Sequence, residues 1–88
     1  MVITRQDVAD KLSSYLQGQR SLADLVSWAE EAMREGEFDE SDFGVIRDVV
    51  SRLGLADVGA FGLTWEDAVG MLSRLGYRAR VEILAHRT

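Results

Sequence analysis

The chain has 88 residues, of which 47% are hydrophobic and 28% charged, a balance that excludes disordered, fibrous and membrane classes and leaves room for a single domain over residues 1–88. It contains no Cys, which excludes disulfides, thiolate nucleophiles and Cys-based zinc sites and fits a reducing compartment. The net charge is −5, no apolar run is long enough to span a bilayer, and Met1–Arg5 lacks the pattern of a signal or transit peptide, so a cytoplasmic protein without membrane contact is expected.

The first structural signal is Thr4 followed three residues later by Asp7. A hydroxyl at a helix N-cap accepts a bond from an amide that would otherwise lack a partner, and an acid at N3 can return the bond to the cap. This predicts a helix over 5–17 with Val8, Leu12, Tyr15 and Leu16 on one face, closed by Gly18. The only lysine, Lys11, lies inside that helix and not after a Gly-rich turn, which excludes a Walker-type phosphate loop. Ser21 and Asp24 repeat the start signal and open a helix over 22–35, with Leu22, Leu25, Val26, Ala29 and Met33 directed inward and Gly36 as its stop.

Between Glu30 and Asp42 there are seven carboxylates (Glu30, Glu31, Glu35, Glu37, Asp39, Glu40 and Asp42) against Arg34 alone, a local charge of −6. An EF-hand loop beginning at Asp39 fails at position 5, where Phe43 stands, and at position 12, where Val50 replaces the bidentate Glu; no metal site is expected. Trp28 lies at the edge of its helix's apolar arc and Phe38 stands among the acids. An exposed aromatic beside carboxylates is one way an acidic protein anchors a basic partner. Trp28, Glu30, Glu31, Glu35, Glu37, Phe38, Asp39, Glu40 and Asp42 therefore form the candidate partner-binding surface. The plainer reading is a solvated helix end whose two aromatics cover the margin of the core.

Asp39 and Asp42, around Ser41, give a weaker start signal for a helix over 41–53 that turns Phe43, Ile46, Val49, Val50 and Leu53 inward and stops at Gly54. As the second half of a helix-turn-helix it would offer Arg47 and Arg52 beside Asp48 behind an acidic approach that repels phosphates, which argues against nucleic acid. The connection over 55–63 is apolar for a loop, so Leu55, Val58, Phe61 and Leu63 are expected to tuck onto the helices. Gly59 and Gly62 provide bends there, and no dinucleotide-type G-x-G-x-x-G can be read. Thr64 and Asp67 open a fourth helix over 65–75 with Trp65, Ala68, Val69, Leu72 and Leu75 on one face and Gly76 as its stop.

After Gly76 the period falls to two: Tyr77, Ala79, Val81 and Ile83 alternate with Arg78, Arg80 and Glu82. This predicts a short C-terminal β-like strand over 77–83. Its partner is Met1–Ile3, part of the 55–63 connection, or another molecule; extended packing on the helices is the alternative. Arg74, Arg78, Arg80 and Arg87 make this end basic, and His86, the only histidine, sits in the terminal tail, where a solvated side chain is expected rather than a catalytic one.

The expected fold is mainly α: a compact four-helix bundle with the apolar connection over 55–63 and the strand over 77–83. No nucleophile and base pair, phosphate loop or ligand set is present, so an enzyme is not expected and no cofactor is implied. The expected function is a non-enzymatic protein-interaction domain. Two variants remain open: an acidic inhibitor of a basic partner, with a size and charge similar to those of bacterial immunity proteins and antitoxins, or a homodimeric assembly module that pairs through the C-terminal strand. The likeness to such inhibitors is one of composition, and no motif carries it. Nine Arg against one Lys, with abundant Ala, Gly and Val, fits a GC-rich bacterial genome.

Overall fold

Thr4 and Asp7 exchange both bonds of a capping box: Asp7 N donates to Thr4 Oγ1 at 3.2 Å and Thr4 N donates to Asp7 Oδ2 at 2.9 Å. They start α1 (Arg5–Leu16). Thr64 and Asp67 form the same reciprocal pair, at 3.0 and 3.1 Å, and start α4 (Trp65–Arg74). Ser21 makes the forward half of the motif, accepting from Asp24 N at 3.1 Å, at the head of α2 (Leu22–Glu35). Asp39 behaves differently. Its carboxylate accepts from Ser41 N and opens one turn of 3-10 helix (Glu40–Asp42), so α3 (Phe43–Leu53) begins two residues later than the spacing predicts. These elements come from a computed structural model that describes residues 2–59, 62–83 and 85; Met1, Phe61, His86 and Arg87, among the residues singled out above, lie outside the described residues.

The four helices bury one cluster of side chains: Val8 and Leu12 from α1, Leu25 and Ala29 from α2, Ile46, Val49, Val50 and Leu53 from α3, and Ala68 and Leu72 from α4, with Leu75 just beyond. Each large aliphatic chain in it contributes about 1.5–3 kcal/mol of transfer free energy. The pairing of α2 with α3 is the most extensive, and α1 touches all three other helices. Among the described residues no helix is long and apolar enough to cross a membrane.

Three residues expected on the inner faces of the helices are exposed. Met33, Phe43 and Trp65 are 43%, 49% and 45% exposed, because each stands at a helix end where the apolar stripe runs past its neighbour. Conversely Ala9, Ala32 and Met71 are buried. In the 55–63 connection, turns closed by Ala56 N to Leu53 O and Val58 N to Leu55 O bury Ala56 and seat Leu63 against the core, but leave Leu55 and Val58 exposed.

The sheet also differs from expectation. Val2–Ile3 forms β1, Glu37–Phe38 forms β2, and the two pair in parallel, Val2 opposite Glu37 and Ile3 opposite Phe38. Residues 77–83 form no ladder among the described residues. Tyr77 N instead donates to Leu72 O at 2.8 Å, closing α4 with Gly76 in the left-handed region at φ +92°, and Ala79 rests on the core. The alternation that suggested a half-buried strand leaves Val81 63% and Ile83 94% exposed. Gly18 is left-handed as expected of a helix stop, but Gly36 and Gly54 are not. Gly54 continues into the following turn, and Gly36 is extended, leading directly into β2.

Candidate functional site

The short parallel sheet positions the most distinctive surface of the molecule. Ile3 is buried and Val2 exposed, so the pleat turns Ile3 and Phe38 toward the core and Val2 and Glu37 toward solvent. Asp39 N donates to Ile3 O at 3.0 Å, continuing the ladder past Phe38. In a parallel pair a residue exchanges its bonds with the neighbours of the residue opposite, so Ile3 is engaged with positions 37 and 39. The N–H and C=O of Phe38 then point away from β1, along the outer edge of β2.

A groove of about 910 Å³ borders β2 and reaches across to Val2 of β1. Val2, Met33, Phe38 and Phe43 supply its apolar surface, and Glu37, Asp39 and Glu40 supply carboxylates, with Arg47 of α3 on the wall. Phe38 and Phe43 meet edge to face, with centroids 5.9 Å apart and an interplanar angle of 66°. Such a contact is worth about 0.5–1.5 kcal/mol beyond area burial and fixes both rings. The sequence along β2 is thus acid, aromatic, acid: Glu37 and Asp39 on one side of the pleat and Phe38 on the other.

The candidate surface read from the sequence does not gather at one place. Glu37, Phe38, Asp39 and Glu40 line the groove. Trp28, Glu31 and Glu35, at spacings of three and four on α2, line a separate cavity of about 230 Å³ with Ile3, Ala32 and Gly36. Trp28 is half-buried against the core, and Lys11 Nζ lies 5.7 Å from its ring centroid, so its face already carries a cation from the same chain. Glu30 is exposed on the part of α2 that faces Gly54. Asp42 is paired with Arg5, Oδ2 to Nε 3.0 Å, and Arg5 also donates to Leu75 O at 3.2 Å. Among the described residues no three carboxylates or histidines converge as a metal site would.

Sequence reasoning missed six groove residues: Val2, Met33, Gly36, Ser41, Phe43 and Arg47. Met33 and Phe43 carried the right period for the core, and their places in the last turn of α2 and at the first residue of α3 were the only sign that they overhang it. Asp67, at the head of α4, is held below the ordinary aspartate range first by the backbone amide of Thr64 and then by the Thr64 hydroxyl; desolvation opposes them, and the nearby Arg52 adds a lesser lowering. That shift belongs to a helix cap, not to the groove. Comparison with models of known protein families, with curated proteins and with solved structures finds no match.

Proposed function

We propose that this domain is a non-catalytic docking module that receives an extended, basic segment of a protein partner along the outer edge of β2. The observation that supports this most is the combination at one edge of a free strand direction at Phe38, half-exposed Phe43 and Met33, and the carboxylates of Glu37, Asp39 and Glu40. A strand laid against β2 gains main-chain bonds, each worth about 0.5–1.5 kcal/mol net, and covers the apolar side chains. Side-chain alternation supplies the specificity. A segment that alternates Lys or Arg with apolar residues sets its cations beside Glu37 and Asp39 and its apolar side chains beside Phe38 and Phe43.

The test is a peptide of alternating Arg and Val, titrated by calorimetry against an acidic peptide of the same length. The basic peptide is expected to bind, more weakly as salt is raised because the ion pairs lie at the surface, where screening is strong over about 8 Å at physiological ionic strength. Glu37→Lys with Glu40→Lys, or Phe43→Ala, removes the binding. Equal affinity for both peptides, or binding indifferent to these substitutions, overturns the proposal.

A further inference from the structure

We infer that the segment this groove receives is residues 78–83 of a second copy of the same chain. The inference rests on the docking reading above and names the occupant. Arg78, Ala79, Arg80 and Val81 repeat, with opposite charge, the order of Glu37, Phe38 and Asp39. In a strand beside β2, Arg78 and Arg80 fall on the pleat side of Glu37 and Asp39, while Ala79 and Val81 fall on the side of Phe38. Charge and apolar surface then match in the same register.

Apart from Ala79, which rests on the margin of its own core, the segment is exposed in its own molecule. Val81 and Ile83 are largely in solvent, and among the described residues Arg80 pairs only with Glu82, two residues away, at 3.0 Å in an exposed pair. It also cannot be delivered to its own groove in this conformation. The segment leaves Gly76, which lies beside Arg5 at the head of α1, and shares a cavity with Ser13, Leu16 and Gln17, whereas none of its residues lines the groove at β2. Its starting point is nevertheless near the groove: Arg5 joins the Leu75 carbonyl to Asp42, at the base of α3. Reciprocal exchange between two copies about a two-fold axis, with Gly76 as the hinge, gives each groove one arm and closes the assembly as a dimer instead of an open chain.

The experiment uses two variants of the full chain, Arg78→Glu with Arg80→Glu on the arm, and Glu37→Arg with Glu40→Arg on the groove. All four positions are exposed, and circular dichroism establishes that both variants fold. The wild type is expected to sediment as a concentration-dependent dimer. Each variant alone should dissociate more readily, by about tenfold or more in dissociation constant, because arm and groove then carry the same sign. Mixed in equal amounts they should dimerise again, since the acidic arm of one meets the basic groove of the other and the reverse pair is already complementary. A wild type that is monomeric at its highest soluble concentration overturns the self-pairing, as does a dimer indifferent to both variants or a mixture that stays monomeric. If the Arg–Val peptide still binds a monomeric wild type, the docking groove stands without its proposed occupant; if neither peptide nor second copy binds, both readings fall.

Discussion

Ile3 and Gly36 approach so closely that only a glycine fits between β1 and the end of α2. A β-carbon at position 36 would stand 2.5 Å from Ile3 Cδ1 and 2.7 Å from the Ala32 carbonyl oxygen. The backbone there, φ −79° and ψ 153°, is open to any residue, so the requirement is one of space.

Gly36→Ala is therefore expected to destabilise the fold by about 1–3 kcal/mol through overpacking. Urea denaturation would show it as a lower midpoint with an unchanged slope. Shortening the opposing side chain by Ile3→Val in the same molecule should recover part of the loss, because the nearest offending atom is Cδ1, while the Ala32 carbonyl remains. Additive losses in the double variant would place the strain elsewhere.

Arg5 ties three elements together, since one guanidinium reaches Asp42 at 3.0 Å and the Leu75 carbonyl at 3.2 Å. Its side chain is about half exposed, so the ion pair is worth at most about 1 kcal/mol. Arg5→Lys is expected to lower the melting temperature nearly as much as Arg5→Ala, because an ammonium cannot span both acceptors as the planar fork does. A lysine variant that melts with the wild type would show that charge alone matters.

Asp67 makes a pH-dependent contribution whose sign follows from its lowered folded-state pKa. A carboxylate favoured in the folded state stabilises it above the ordinary aspartate pKa of about 3.9, and the contribution is lost as pH falls from there through the depressed value. The melting temperature of Asp67→Asn should accordingly decline less steeply than that of wild type below this range, while the two curves run parallel near neutrality. Parallel curves throughout would remove Asp67 from the acid response.

Phe43 and Ile46 stand on the same face of α3, yet they should answer differently to truncation. Phe43→Ala removes a half-exposed ring and one edge contact, the contact alone being worth about 0.5–1.5 kcal/mol, and leaves no enclosed hole. Ile46→Ala opens a hole in a fully buried site and should cost about 2–5 kcal/mol. Chemical denaturation of the two variants measures the gap, and comparable losses would mean that Phe43 is held in the core.

The helices were legible because their determinants are local. Thr4 with Asp7 and Thr64 with Asp67 carry both halves of a motif within four residues, and the structure forms both. Periodicity gave the direction of each apolar face but not how far along the axis a neighbour covers it, which is why Met33, Phe43 and Trp65 were misplaced. Gly36 looked like an ordinary helix stop because the reason for it, Ile3, comes from a distant part of the chain. The sheet was illegible on similar grounds: two residues per strand are too few to display a period, whereas the alternation over 77–83 displays one without a ladder. The acidic run was visible in full, yet sequence distance concealed that Asp42 is taken by Arg5 and that Trp28 lines a different cavity from Phe38.

The parallel union of β1 with β2 also sets a time order. The whole of α1 and α2 lies between the two strands, so their meeting closes a long loop and comes at high entropic cost unless both helices are already docked. The outer edge of β2 takes its final form only once the N-terminal half has folded back on itself. Weakening the pair at Val2 or Phe38 should then hasten unfolding and leave the folding rate nearly unchanged. A partner docked there, as proposed, would receive finished molecules and pass over those still in assembly.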